Sequence, residues 1–347
     1  MVRMVLDVLG RFLSRDLAVD LGTSNTRVVA RGEGIVLDEP SIVAMRPASG
    51  ELVAVGTAAK AMLGRAPDSI SVVRPLKDGV IADLSMAQTM LEAFIARARS
   101  RQTTRFRARV VIAVPSGITQ VERRAVRESA MHAGAREVYL VAEPVAAAIG
   151  AGLPISEAGG NLMVTVGGGT TEVAVLSLSG MVHCESLRAA GDEMDNAITQ
   201  YVRKHHSLLI GERQAEMVKL ALGSACAVDD QSRKMAVKGR DIVSGFPKTI
   251  TVTEEEVREA LREPVTAIVE TVRVCLERTP PELAADLVEK GIVMSGGGAL
   301  LRGLDHLLWL ETNLPVTVAT DPLTCAARGA GQMLDELEML KKAAIPS

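Results

Sequence analysis

A chain of 347 residues, 48% hydrophobic and 23% charged, has a globular composition and the length for two domains, or four small subdomains, each with its own core. Its net charge of −3 argues against a general nucleic-acid binder, and with 2% aromatic residues the cores must be built from Val, Leu, Ile, Ala and Met. Cys184, Cys226, Cys275 and Cys325 stand apart without Cys-x-x-Cys spacing, which reads as buried free thiols in a reducing cytosol and supports neither a zinc site nor a disulfide framework.

At the start of the chain Met1, Val5, Val8 and Phe12 fall at helical spacing, opposite a polar stripe of Arg3, Asp7, Arg11 and Arg15. Such a helix could lie in a membrane interface, or pack on its own domain or a neighbouring subunit. No apolar run approaches the roughly 18 residues of a membrane span. Charges interrupt the first apolar stretch where a cleavable signal needs continuity, so the cytoplasm is the expected compartment.

Residues 17–29 read as strand, glycine-containing turn and strand, with Asp20, Gly22, Thr23 and Asn25 around the turn. Short strands of a small insertion follow over 34–55, a helix over 56–63, a turn at 74–79 and a helix over 84–98. The basic stretch 99–109 carries Phe106 at its tip, which suits a solvated loop or an anionic membrane surface. A buried strand at 110–114, a helix over 120–133 and a strand at 138–141 lead to Glu143 and Pro144. Pro144 suits the first turn of an Ala-rich helix, which puts Glu143 at the mouth of a strand-to-helix connection, a place that often carries chemistry.

Residues 162–175 repeat the plan of 17–29 at a constant offset, so that Asp20 matches Thr165, Gly22 matches Gly167 and Thr26 matches Thr171. Paired units of this kind suggest a duplicated α/β fold. The small residues Gly167, Gly168, Gly169 and Thr170 let backbone N–H groups approach an anion closely, which suits phosphate, although a lone Gly-Thr hairpin is common. A helix is expected from residues 190–195 through Lys204. Another starts at Gly211 and carries Glu212, Glu216 and Lys219 on one side, which would equally suit an exposed ion-pair stripe. Residues 236–252 alternate as strands, and Thr253 to Glu256 form a capping box before a helix to about Arg278. A strand at 291–295 ends on a third glycine turn, Gly296, Gly297 and Gly298, with a helix expected from Ala299. Asp321 and Pro322 are expected to cap one long last helix to about Lys342.

None of these turns is a Walker A loop or a complete dinucleotide fingerprint. Two phosphate hairpins, a Glu-Pro helix and a late triple-glycine turn instead resemble the actin-like ATPase superfamily. Residues 19–23, 34–41, 77–83, 120–124, 143–152, 167–175, 191–195, 210–213 and 295–303 resemble, in order, segments of the MreB family of bacterial actins.

The resemblance implies an α/β actin-like ATPase fold of two duplicated domains, each with a smaller inserted subdomain. The domain I core would be residues 1–31 and 78–150, with a C-terminal helix at 323–342 able to pack back on it and a small subdomain at 32–77. The domain II core would be 151–184 and 246–322, with its small subdomain at 185–245. It also implies ATP and Mg²⁺ between the halves, paired head-to-tail protofilaments, and a peripheral position on the inner face of the cytoplasmic membrane. Contact there would run through residues 1–13 and the Phe106 loop. The partners implied are the cell-wall elongation machinery and a transmembrane shape-complex protein, with a role in peptidoglycan synthesis and rod shape. Matched residue by residue, Gly22, Thr23, Asn25 and Gly167 to Thr170 would hold phosphates. Asp20 would act on Mg²⁺ through water. Glu143 would orient the attacking water, and Glu212, Glu216, Lys219 and Gly296 to Gly298 would line the nucleoside.

Two positions depart from the family. Thr165 stands where members usually carry Asp, and Ala142 where they often carry Glu. A hydroxyl has no charge to hold hydrated Mg²⁺ or the attacking water, and losing such a group commonly costs roughly 3 kcal/mol of barrier lowering. The expectation is ATP binding with slow hydrolysis. A small-molecule kinase of the same superfamily is the alternative, but no catalytic Asp with a polar sugar site is evident. A chaperone of that superfamily would need a peptide-binding domain, which is not read here.

Overall fold

In the computed structural model, residues 16–100, 108–227 and 233–345 are described. The expected N-terminal helix and the Phe106 tip lie outside them.

The most apolar runs become the central strands. Leu17–Leu21 and Asn161–Val166 are buried along their whole length, because each is covered on both faces. Leu17–Leu21 pairs antiparallel with Asn25–Ala30 and parallel with Arg109–Val114, which pairs parallel with Glu137–Ala142. Gly34–Pro40 completes a five-stranded sheet beyond Asn25–Ala30. In a second five-stranded sheet, Asn161–Val166 pairs antiparallel with Thr171–Ser177 and parallel with Ile292–Ser295, with Gly180–Leu187 and Val316–Val318 at the edges. The strand order is the same in both. The duplicated α/β plan read from the paired turns therefore holds at the level of topology.

The chain divides into two compact units, one of residues 1–157, 178–180 and 324–347, the other of 158–177 and 181–323. In the first, Leu17, Val19, Leu21 and Val28 pack against Met90, Phe94 and Ile95 of the helix Leu84–Ser100. In the second, Val164, Val166 and Val173 pack with Leu261, Val265, Ile268 and Val272, spaced three or four apart on the helix Glu254–Glu277. Its N-terminus has the expected capping box, with the Thr253 hydroxyl accepting from Glu256 N–H and the Glu256 carboxylate from Thr253 N–H.

Three local expectations change. Residues 74–79 are not only a turn, since Leu76–Lys77 and Val80–Ile81 pair around Asp78 and Gly79, which both have positive φ (51° and 72°), as a tight hairpin requires. After the third glycine turn the chain makes a 3₁₀ turn, Gly297–Leu300, and the α-helix begins only at Leu304, because Gly303 sits in the left-handed region first. The last helix is two helices, Cys325–Gln332 and Leu337–Ala343, separated where Leu334 N–H bonds Gly331 O and Asp335 N–H bonds Gln332 O. Cys275 and Cys325 are buried thiols as expected, whereas Cys184 and Cys226 are partly exposed. Among the described residues no helix is long and apolar enough to cross a membrane.

Candidate functional site

In the first unit the site begins at the turn between Leu17–Leu21 and Asn25–Ala30. A Cβ on Gly22 would stand 2.6 Å from Asn25 O, so the tight turn excludes a side chain there. Ser41 braces the turn: its hydroxyl donates to Gly22 O (2.6 Å), lies 2.9 Å from Thr26 Oγ1, and its N–H bonds Ser24 O. Thr23 is buried, and Asn25 donates its side-chain amide to Asp38 Oδ1 at 2.8 Å. Asp20 is also buried, with Arg27 Nη1 at 3.7 Å from its Oδ2. Burial pushes the Asp20 carboxyl up to about 6; Arg27 opposes that rise and Asp38 adds to it.

Glu143 is the first residue of the helix Glu143–Gly150, preceded by Ala142 as N-cap and followed by Pro144. Its strand runs parallel to Arg109–Val114 and through it to Leu17–Leu21, so Glu143 and Gly22 leave the sheet at the same end, two strands apart. Carboxyl ends of parallel strands are where open α/β sheets bind ligands. The helix is fixed by an unusually close crossing: a Cβ on Gly150 would overlap Cys325 O, and one on Gly329 would overlap Ala146 O.

The second unit gathers more of the expected residues. Gly167 N–H closes the hairpin on Thr170 O at 2.8 Å. The helix Gly191–His206 docks its first amides on this turn, with Gly191 N–H bonding Gly167 O and Asp192 N–H bonding Gly168 O. Lys219, from the helix Glu212–Leu222, donates to Gly191 O (2.7 Å) and Asp195 Oδ2 (2.9 Å), so its ammonium ties its own helix to the helix that docks on the turn. Burial raises the Asp195 carboxyl to about 6 against the pull of Lys219, with Glu216 and Asp192 adding to the rise. Glu212, in the first turn of that helix, is exposed. Cβ atoms on Gly296 and Gly298 would overlap Val166, so the third glycine turn lies directly against the second hairpin.

Thr165 is 3% exposed and its hydroxyl lies 3.1 Å from that of Ser295, its partner across the parallel strand pair. Directly across the hairpin from Thr165 stands the buried Glu172. Ser41, Arg27, Asp195, Glu172 and Ser295 were not singled out from sequence. The offset that matches Asp20 to Thr165 also matches Arg27 to Glu172, and that cross-strand pairing was the available signal for two of them.

These turns, with their close-approach glycines, are suited to bind anionic phosphates through backbone amides, and Glu143 could position a water. A family model described as MreB/Mbl protein matches residues 14–342. The cell shape-determining protein MreB of Escherichia coli (strain K12) is 53% identical over 330 residues, 94% of this chain and 95% of the relative. The cell shape-determining protein Mbl of Bacillus subtilis (strain 168) is 46% identical over 329 residues, 95% of this chain and 98% of the relative. Among solved structures, MreB 5 of Spiroplasma citri bound to AMPPNP superposes with a TM-score of 0.87 at 37% identity, covering 93% of this chain and 96% of that one. A MamK double helical filament superposes at 0.77 with 24% identity over 92% and 99%, a likeness of fold alone.

Proposed function

The chain belongs to the MreB/Mbl family, and from that premise we propose that it is an adenine-nucleotide-dependent, filament-forming cytoskeletal protein that sets cell shape. The observation that carries this reading is the pair of glycine hairpins at equivalent places in two sheets of identical strand order. Family relatives are known as cell shape-determining proteins, and the MreB5 structures hold AMPPNP or ADP.

Backbone donors around Gly22, Thr23 and Gly167 to Thr170 bind the phosphates. Asn25 helps to order the first turn through Asp38, and Lys219 orders the second through Gly191. Glu212, Glu216 and Gly296 to Gly298 border the nucleoside, and Glu143 orients the attacking water. Thr165 gives slow turnover, since its hydroxyl is engaged within the sheet and carries no charge.

The residues do not fit a protein-held Mg²⁺. Asp20 already faces a guanidinium and its match in the second unit is a threonine, so no matched pair of carboxylates faces the ion. No step is therefore routed through the ion.

Self-association into paired protofilaments on the inner face of the cytoplasmic membrane, working with the cell-wall elongation machinery and a transmembrane partner, completes the proposal. Sedimentation with ATP followed by negative-stain imaging tests it. Filaments in the pellet are expected; a protein that stays in the supernatant under ATP and without it, as a small-molecule kinase of this fold would, overturns it.

A further inference from the structure

Three charged residues run in a row across the first hairpin and the strand beside it. In the strand register Asp20 lies opposite Arg27, and Arg27 opposite Asp38. Leu17, Val19, Leu21, Val28, Ala30 and Leu37 of these strands all join the hydrophobic core, so alternation sends Asp20, Arg27 and Asp38 to the other face. Arg27 Nη1 stands 3.7 Å from Asp20 Oδ2, and Arg27 Nε 3.2 Å from Asp38 Oδ2. The side chains of Asp20 and Arg27 are 9% and 12% exposed, whereas that of Asp38 is 46% exposed, open to solvent, and also accepts from the Asn25 amide.

A bare carboxylate two residues before a phosphate-binding turn works against its own ligand. Two like charges a few ångströms apart in a partly buried site repel strongly, because little water lies between them to screen them. A divalent cation between them is one remedy. A guanidinium already facing the carboxylate is another, and it also offers planar, permanently charged donors suited to phosphate oxygens. In the second hairpin the place of Asp20 is taken by uncharged Thr165, bonded to Ser295, and the place of Arg27 by the buried Glu172, so a guanidinium of this kind is found in the first hairpin and not the second.

Resting on the nucleotide reading above, we infer that Arg27 is a built-in counter-cation of the first phosphate turn, so that this chain binds ADP and ATP with little dependence on Mg²⁺. The rival account is a cross-strand ion pair that only stabilises the sheet.

The test is a fluorescence titration of the full chain with N-methylanthraniloyl-ADP, in Mg²⁺ and in EDTA, for the unaltered protein and for Arg27→Lys and Arg27→Gln. The unaltered protein and Arg27→Lys are expected to keep Kd within about threefold between the two conditions. Arg27→Gln is expected to weaken by about tenfold or more in EDTA and to recover in Mg²⁺. Tight binding by the unaltered protein that collapses in EDTA overturns the role of Arg27 and leaves the nucleotide reading standing. Equal EDTA affinities for a folded Arg27→Gln and the unaltered chain also overturn it, as the sheet-only account requires. Absence of binding in both conditions overturns the nucleotide reading itself, and the inference with it. If Arg27→Gln melts early by circular dichroism, the unaltered protein and Arg27→Lys still decide the matter.

Discussion

Thr165 and Ser295 share a hydrogen bond of 3.1 Å between their hydroxyls, directly across a parallel strand pair and out of contact with bulk water. The hydroxyl of Thr165 is thus held inside the sheet, at the place where the matching strand of the first unit carries Asp20. Thr165→Asp is expected to raise ATP turnover by about two orders of magnitude, the usual size of a lost charge-positioning group. It should also lower thermal stability, because the new carboxylate faces buried Glu172 across the hairpin. Phosphate-release rates and melting curves on both chains check this. Equal turnover would sink the account of slow hydrolysis.

The helix that presents Glu143 is placed by glycine. Gly150 and Gly329 let the backbones of Glu143–Gly150 and Cys325–Gln332 approach until no Cβ fits at either position. The obstacles are carbonyl groups of the opposing helix, which cannot rotate away as a side-chain tip can. Gly329→Ala should therefore cost about 1–3 kcal/mol, the range for overpacking a tight core. Urea unfolding reads this out as a lower midpoint. A midpoint unchanged from the original chain would mean that the crossing is looser than these backbones indicate.

Much of this was legible in the sequence for a physical reason: strand-turn-strand units and capped helix starts are local, and their residue types are dictated within a few positions. The matched hairpins, the Glu143-Pro144 helix start and the Thr253 capping box are all of that kind. The pairings of Arg27 with Asp20, of Lys219 with Gly191 and of Thr165 with Ser295 depend on register or on segments far apart in the chain. The last helix was misread because residues 323–342 are rich in helix formers. Its interruption depends on i to i+3 bonds at Gly331 and Gln332, and on the C-terminal segment returning to the sheet, where Ile345 N–H bonds Leu140 O.

Asp195 gives a pH dependence whose sign opposes the usual expectation for an ion pair. Burial raises its carboxyl from 3.8 to about 6 even with Lys219 at 2.9 Å. The folded state therefore holds this proton more tightly than the unfolded chain. Stability from this group is greatest below about pH 4 and falls as pH rises through about 6, by at most about 3 kcal/mol and by less because the pair is partly solvated. Asp195→Asn should thus gain on the unaltered protein between pH 5 and pH 8 in urea unfolding. A stability difference that is the same at both pH values, or that moves the other way, would refute this.

Membrane attachment, proposed here through residues 1–13 and the basic Phe106 loop, is separable by deletion. Anionic liposomes should co-sediment the full chain, and removal of residues 1–13 should reduce the bound fraction by about tenfold, as loss of a few buried apolar side chains implies. Unchanged binding after the deletion would reject the N-terminal segment as an anchor.

The second unit presents an exposed apolar tip that a filament contact could use. The strands Lys234–Asp241 and Pro247–Thr253 are joined by a turn whose backbone is pinned by Asp241: its Oδ1 accepts from the N–H groups of Val243 and Ser244, and its Oδ2 pairs with Lys248 at 2.8 Å. Those bonds, led by that from Lys248, hold the Asp241 carboxyl well below the usual range. The turn presents Val243 at 86% and Phe246 at 72% exposure. A rigid apolar tip loses little entropy on docking, and burying two such side chains against a second copy would contribute about 3–5 kcal/mol before the costs of association. Val243→Ser with Phe246→Ser is therefore expected to raise the critical concentration for sedimentation with ATP by about tenfold or more. The melting temperature should stay unchanged, since neither side chain packs in the core. An unchanged critical concentration would remove this turn from the filament contact and leave assembly to other surfaces.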